Sequence, residues 1–183
     1  MQLISIIMPY YRKINSVNRA IKSVIKQSYK RFELIIVYDD ETAEDYHKIK
    51  KFIANNKKIR IIKNRKNIGA GQSRNIGIKN SNGSIVTFID SDDTWHPQKL
   101  KKQLNFLNKN NHNFIFCGYK KIFKKKSIKV NIDSEYLSYK DLLKSCEIGL
   151  STVMINKKII DNNLFSNLKT QEDFAAWLKI TKK

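Results

Sequence analysis

Apolar residues along the chain fall into short runs separated by longer stretches of helical period. Residues 3–8 read as a strand, and Val17, Ala20, Ile21, Val24 and Ile25 then recur at three- and four-residue spacing, the apolar stripe of a helix. Residues 32–37 are apolar at almost every position, as expected of a parallel strand covered on both faces. A helix over about 42–55, a strand at 59–62, a helix at 71–80 and a strand at 84–89 that stops at Asp90 continue the alternation. Four strands alternating with three helices predict an α/β fold, a Rossmann-like, mostly parallel central sheet flanked by helices on both faces.

The second half is less regular. Pro97, favourable in a first helical turn, opens a predicted helix to about residue 108. Residues 114–123 read as one strand, Lys124-Lys125-Lys126 as a turn, and 128–132 as the returning strand. A short helix at 139–144, a strand at 151–155 and a final helix from about Gln171 complete this smaller, mixed part. No repeat, low-complexity linker or composition break divides the chain. Residues 1–183 are therefore expected to form one domain with two halves, 1–95 and 96–183.

Charge adds a clue that periodicity does not. The 183 residues carry 36 Lys and Arg against 16 Asp and Glu, a net charge of +20, and most of the excess is lysine. Such a field attracts phosphates, nucleic acid or an anionic membrane surface. A nucleic-acid-binding module has charge alone in its favour, because no recognisable motif is present and aromatic residues do not interleave with the basic runs; nucleic acid is not an expected partner. Cys117 and Cys146 give neither a disulfide framework nor zinc spacing. His47, His96 and His112 lie far apart without ligand spacing. No run approaches the roughly 18 apolar residues of a membrane span, and the first residues lead straight into a strand without signal-peptide features. The expected location is the cytoplasm, with any membrane contact peripheral and at the inner face.

Acidic residues are scarce, yet two clusters fall at predicted strand ends: Asp39-Asp40 and Asp90-Ser91-Asp92-Asp93. In an open α/β sheet ligands bind beyond those ends. Grouped carboxylates repel unless a cation or hydrogen bonds compensate, and Asp-x-Asp suits a hard cation, Mg²⁺ or Mn²⁺, shared with substrate phosphates. Turn and helix capping is the other reading of each cluster. Between the two lies the loop 67–77, Asn-Ile-Gly-Ala-Gly-Gln-Ser-Arg-Asn-Ile-Gly, which turns into a helix. Its glycines permit close backbone approach, and a helix N-terminus with Arg74 nearby suits an anion. The loop lacks the Walker ending and the Rossmann spacing. Gly69 as a turn residue and Arg74 as a surface charge remain open beside that reading.

Taken together, these segments carry a resemblance: residues 4–11 (Ile-Ser-Ile-Ile-Met-Pro-Tyr-Tyr), Ala20-Ile21-Lys22-Ser23-Val24 with Gln27-Ser28-Tyr29, residues 32–40 ending in Asp39-Asp40, Asn67-Ile68-Gly69 with Ser73-Arg74-Asn75, Gly83-Ser84, and residues 88–95 (Phe-Ile-Asp-Ser-Asp-Asp-Thr-Trp). In family order over about residues 3–105, they resemble the family 2 inverting glycosyltransferases of GT-A fold. Later, residues 151–155 and Glu172-Asp173-Phe174-Ala175-Ala176-Trp177-Leu178 resemble the family's acceptor-side strand and Glu-Asp motif. The resemblance implies that Pro9 and Tyr11 border the nucleotide of a nucleotide-sugar donor, with a UDP-sugar expected. It implies that Asp40, with Asp39 beside it, reads the uracil edge or ribose, and that Gly69 and Arg74 lie near the diphosphate. Asp90 and Ser91 would face the donor, Asp92 and Asp93 a Mn²⁺ or Mg²⁺ ion, and Asp173 would be the general base toward a saccharide or lipid-linked acceptor.

Glu41 departs from the small residue usual after Asp40. Thr170-Gln171-Glu172-Asp173 also resembles a helix capping box, so capping is the competing role for Asp173. Trp95 is expected at the acceptor mouth and Trp177 in the core. The lysines at 120–121 and 124–126 read as a solvated face or as a contact for an anionic membrane. Halves 1–95 and 96–183 would serve nucleotide-sugar and acceptor respectively, the second shortened at its C-terminus. The other readings are a nucleotidyltransferase, which would need a glycine-rich signature that Pro9-Tyr10-Tyr11-Arg12-Lys13 lacks, and a truncated non-catalytic relative.

Overall fold

The computed structural model describes residues 1–123, 126–131, 136–145, 148–161 and 163–182. Strands β1 (Ile4–Tyr10), β2 (Phe32–Tyr38), β3 (Ile59–Lys63) and β4 (Ile85–Phe88) alternate with helices α1 (Ile14–Ile25), α2 (Glu44–Ile53) and α3 (Ala70–Lys79), in the order the hydrophobic pattern predicts. The remainder runs α4 (Lys99–Lys109), β5 (Phe114–Ile115), β6 (Tyr119–Phe123), β7 (Lys126–Val130), α5 (Tyr139–Lys144), β8 (Met154–Asn156) and α6 (Glu172–Thr181).

The main sheet has the order β3-β2-β1-β4-β8-β5. Its first four strands are parallel, and β8 runs antiparallel to both β4 and β5. The two-residue period of β1 divides the core. Ile4, Ile6, Met8 and Tyr10 pack with residues of α1, α2 and α4, whereas Ile7 packs with residues of α3, α5 and α6. Val17, Ala20, Ile21 and Val24 of α1 are fully buried, and each of the larger three contributes about 1.5–3 kcal/mol. On the other face, a Cβ on Gly77 would collide with the Ile7 side chain, so glycine lets α3 seat directly on β1.

Residues 114–123 do not form the single strand expected from sequence. Continuing β5 along β8 would pair it with residues 150–153, but Leu150–Thr152 is a 3-10 turn whose flanking amides bond internally. The chain therefore leaves the sheet after Ile115, and β6 pairs instead with β7 in a separate two-stranded sheet. Lys126 is the first residue of β7, not part of the turn; Lys124, Lys125 and Ile132 lie outside the described residues. Pro97 lies ahead of α4, whose N-cap is Gln98.

β1 to β3 step outward in one direction, and β4 returns to the opposite side of β1. The order thus reverses between β1 and β4, and the crevice past their carboxyl ends is where such sheets bind ligands.

Candidate active site

One wall of the crevice is the end of β1. Pro9 sits in a strand with neighbours on both sides, where a missing N–H is normally excluded. It is tolerated because β4 ends opposite Ile7, and by strand alternation the Pro9 nitrogen faces the space beyond. Tyr10 stacks on Tyr38 with ring centroids 5.0 Å apart and donates its hydroxyl to Asp45 at 2.6 Å. Burial and the Asp45 carboxylate push that phenol well above its usual range. Tyr11 is exposed at the mouth under the Arg12 guanidinium, and Arg12 itself has φ 47°, an uncommon backbone for a residue with a side chain.

Asp39 and Asp40 follow β2 but face different partners. Asp39 is buried and accepts from the Asn64 side chain at 2.8 Å and the amides of Ile68 and Gly69 at 2.9 and 2.8 Å. Both amides lie in the loop just ahead of α3, so this carboxylate fixes the approach to the helix. Asp39 thus ties the end of β2 to the glycine loop. Gly69, the residue before α3, has φ 86° and ψ 160°, a conformation essentially confined to glycine. Asp40 accepts from the Thr42 amide at 3.1 Å, and its other oxygen lies 3.6 Å from Arg12 Nε.

The opposite wall is the segment 90–93 after β4. Arg74, buried on α3, donates to Asp90 at 2.8 Å and to Glu172 at 2.7 Å, with its guanidinium 5.4 Å from the centre of the Phe165 ring. It is an interior bridge, not a surface charge. Ser91 is buried within the turn. Asp92 meets Lys13 at 3.0 Å. Asp93 accepts from the Ser151 hydroxyl at 2.6 Å, while Ser151 accepts from the Asp90 amide at 3.1 Å. Neighbouring protein atoms that thin the water around Asp93 push its carboxyl up, reinforced by Asp90 and Asp92 and opposed by the Ser151 hydrogen bond.

No group of three His, Cys, Asp or Glu side chains converges among the described residues. Asp92 and Asp93 nevertheless present hard oxygens at an exposed rim, and the Lys13 ammonium now balances Asp92. Such a donor set fits Mg²⁺ or Mn²⁺ held through one or two carboxylates and completed by substrate phosphate.

Asp173 stands one residue beyond the Arg74 partner Glu172, in the first turn of α6. It lines a cleft of about 420 Å³ with Tyr119, Gly149, Gln171 and Phe174. Burial raises its carboxyl above the ordinary aspartate value, with Glu172 adding to the rise and the Phe174 amide and Arg74 opposing it. The capping box suggested at 170–173 does not form: Gln171 is the N-cap, in left-handed backbone at φ 59°, with no side-chain cap. That motif occurs instead at Ser138 and Asp141, before α5. Trp95 lies apart from that cleft. It is buried in the core, donates to the Ser151 carbonyl at 2.9 Å, and borders a different groove along α1 rather than the Asp173 cleft. Trp177 is fully buried, as expected.

The structure brings Arg74, Asp90 and the Glu172-Asp173 turn together. It also adds Arg12, Lys13, Ser151 and Glu172, which sequence reasoning did not single out as site residues. Ser151 and Glu172 belonged to segments already quoted for their resemblance; Arg12 and Lys13 carried no signal beyond following β1.

Comparison with known proteins supplies the family. The profile of Glycosyl transferase family 2 matches residues 5–178. The chain is 32% identical over 180 residues to the Escherichia coli UDP-Glc:alpha-D-GlcNAc-diphosphoundecaprenol beta-1,3-glucosyltransferase WfgD, covering 98% of this chain and 70% of that protein. It spans only 30%, 30% and 26% of the length of three Rickettsia glycosyltransferases that it matches at 34%, 35% and 34% identity. Among solved structures, Staphylococcus aureus TarS 1–349 in complex with UDP-GlcNAc superposes with a TM-score of 0.82 at 21% identity, covering 99% of this chain and 53% of that one. The Pyrobaculum calidifontis mannosyltransferase PcManGT with GDP-Man and Mn²⁺ superposes with a TM-score of 0.75 at 13% identity, over 97% and 51%. These structural likenesses establish the GT-A fold, and with the profile match the chain belongs to glycosyl transferase family 2.

Proposed function

We propose that the chain transfers a sugar from a nucleotide-sugar donor, a UDP-sugar, to a hydroxyl of a saccharide or lipid-linked acceptor with inversion, in the synthesis of a cell-surface polysaccharide. The observation that carries this reading is the Arg74 bridge. One cation ties Asp90, at the donor edge of the sheet, to Glu172, and so fixes the neighbouring Asp173 in its cleft. A donor-side carboxylate cluster and a half-buried base held in one frame are what a single displacement requires.

In this reading residues 1–95 hold the nucleotide-sugar and residues 96–183 receive the acceptor. Pro9 and Tyr11 border the base, Asp40 meets the base edge or ribose, and Asp39 acts through the loop that carries Gly69. Asp90 and Ser91 shape the sugar-diphosphate pocket. Asp173 takes the proton of the acceptor hydroxyl as that oxygen attacks the anomeric carbon. The bond from that carbon to the diphosphate breaks on the opposite face, and its electron pair leaves with the nucleoside diphosphate. Asp92 and Asp93 would hold the Mg²⁺ or Mn²⁺ ion, which neutralises charge developing on the leaving diphosphate. The raised Asp173 carboxyl makes it a better proton acceptor than an ordinary aspartate. A cytoplasmic site at the inner membrane face suits a donor made in the cytoplasm and an acceptor carried on lipid.

Calorimetry with UDP-, GDP- and dTDP-sugars in Mn²⁺ tests the donor. Transfer assays on Asp173→Asn test the base: donor binding is expected to persist while turnover falls on the order of 10²-fold or more. Wild-type turnover in that variant overturns the assignment.

A further inference from the structure

The β6–β7 hairpin stands apart from the main sheet and carries a composition that the transfer reaction does not use. Ile122, Phe123 and Ile128 are 74%, 74% and 65% exposed. Lys120, Lys121, Lys126 and Lys129 surround them, all exposed, and residues 119–130 contain no acidic side chain. The register sets Lys120 directly opposite Lys129, a like-charge pair that weakens a hairpin standing in water. A two-stranded sheet is marginal by itself, so this one pairs poor electrostatics with exposed apolar surface.

The distribution over the two faces identifies the occupant. Strand alternation puts Phe123 and Ile128 on one face with Lys121 and Lys126, and Ile122 on the other with Lys120 and Lys129. A hairpin that covers a protein surface turns one apolar face toward it. Here both faces mix apolar side chains with lysine, as in a finger that enters a lipid interface while lysine stems extend their ammonium groups to the headgroups. A second copy of a +20 chain would bring lysine against lysine, whereas anionic headgroups complement it.

We propose that the β6–β7 hairpin docks the protein on an anionic lipid bilayer, with Ile122, Phe123 and Ile128 entering the headgroup layer. Tyr119, at the hairpin base, lines the cleft that contains Asp173, as do Leu143 and Lys144 of α5. Docking therefore turns the mouth of that cleft toward the membrane, where a lipid-linked acceptor is carried; this orientation rests on the transferase reading above.

The test is sedimentation of the 183-residue chain with vesicles of phosphatidylcholine alone and with 30% phosphatidylglycerol added. Binding is expected only to the anionic vesicles and should weaken with salt. Replacing Lys120, Lys121, Lys126 and Lys129 together by Gln should lower the vesicle partition coefficient on the order of 10²-fold. Phe123→Trp, a surface change that spares the core, should show a blue-shifted emission on the anionic vesicles. An unchanged partition coefficient in the lysine variant, or no shift in Phe123→Trp, overturns the proposal. So does a concentration-dependent dimer that is lost in Ile122→Ser/Phe123→Ser/Ile128→Ser without any change in vesicle binding. Donor calorimetry on the same proteins separates the two readings. Hairpin-dependent vesicle binding without affinity for any nucleotide-sugar removes the transferase reading and leaves docking intact, and the reverse removes docking alone.

Discussion

Arg74→Met isolates the bridge on which the site geometry depends. The Arg74 side chain is 5% exposed, Glu172 16% and Asp90 37%. Removing the guanidinium leaves Glu172 as a nearly buried charge without its partner, a situation that costs about 3–5 kcal/mol. Asp90 is wet enough to regain water, and its share is about 0–1 kcal/mol. Methionine keeps part of the packing on Phe165, so the expected loss is about 3 kcal/mol. For a chain of this size that lowers Tm by about 6–12 °C. The informative assay is a double-mutant cycle by urea denaturation. Gln at position 172 needs no counter-cation, so Arg74→Met/Glu172→Gln should be more stable than the sum of the single losses implies, by about 1–3 kcal/mol. Coupling to Asp90→Asn should be smaller, in line with its exposure. Additivity of Arg74→Met and Glu172→Gln within about 0.5 kcal/mol would show that the bridge holds nothing, and the argument for Asp173 being set by it would fall.

As the proposed base, Asp173 would act only when deprotonated, and its carboxyl is raised by burial. The acid limb of kcat is therefore expected at higher pH than an ordinary aspartate near 3.9 would give, with rate rising as pH climbs through it; a profile with no limb above that value contradicts the assignment. UDP should raise Tm with Mn²⁺ present and much less with excess chelator, since a ligand of the native state stabilises it by mass action; equal shifts in both would remove Asp92 and Asp93 from metal binding. Gly69→Ala meets no neighbouring atom, yet φ 86° with ψ 160° should cost about 1–3 kcal/mol through the backbone alone, read from urea denaturation; a neutral result would mean that the loop relaxes. Asp39→Asn should lose about 1.5–3 kcal/mol, because two backbone amides lose a charged acceptor; a donor-affinity loss with unchanged stability would instead return Asp39 to the nucleotide.

How far the sequence could be read depended on whether a feature was local. β1, β2 and β4 are buried on both sides, so their apolar runs announce parallel strands without knowledge of their neighbours. The Asp90-Asp93 cluster stood out because carboxylates are scarce in a basic chain and a strand ended just before it. The break after Ile115 was not legible: its cause is the 3-10 turn at Leu150–Thr152, some 35 residues away, which removes the ladder that β5 would have followed. Nor could the sequence say which partner each charge takes. Asp39 and Asp40 are adjacent and chemically identical, yet one closes the loop before α3 and the other faces Arg12.

The start of α6 shows how such long-range pairing decides chemistry. Locally, Thr170-Gln171-Glu172-Asp173 reads as a capping box, and in an isolated peptide the Asp173 carboxylate would turn back toward the Thr170 amide. In the folded protein Arg74, 98 residues away in sequence, holds Glu172 at 2.7 Å. Gln171 goes left-handed, Glu172 reaches the guanidinium, and Asp173 is left with backbone amides of its own turn, including Phe174 at 2.8 Å, while facing the cleft. A side chain whose local preference is to cap a helix is thereby kept facing the cleft by a partner that no local pattern contains.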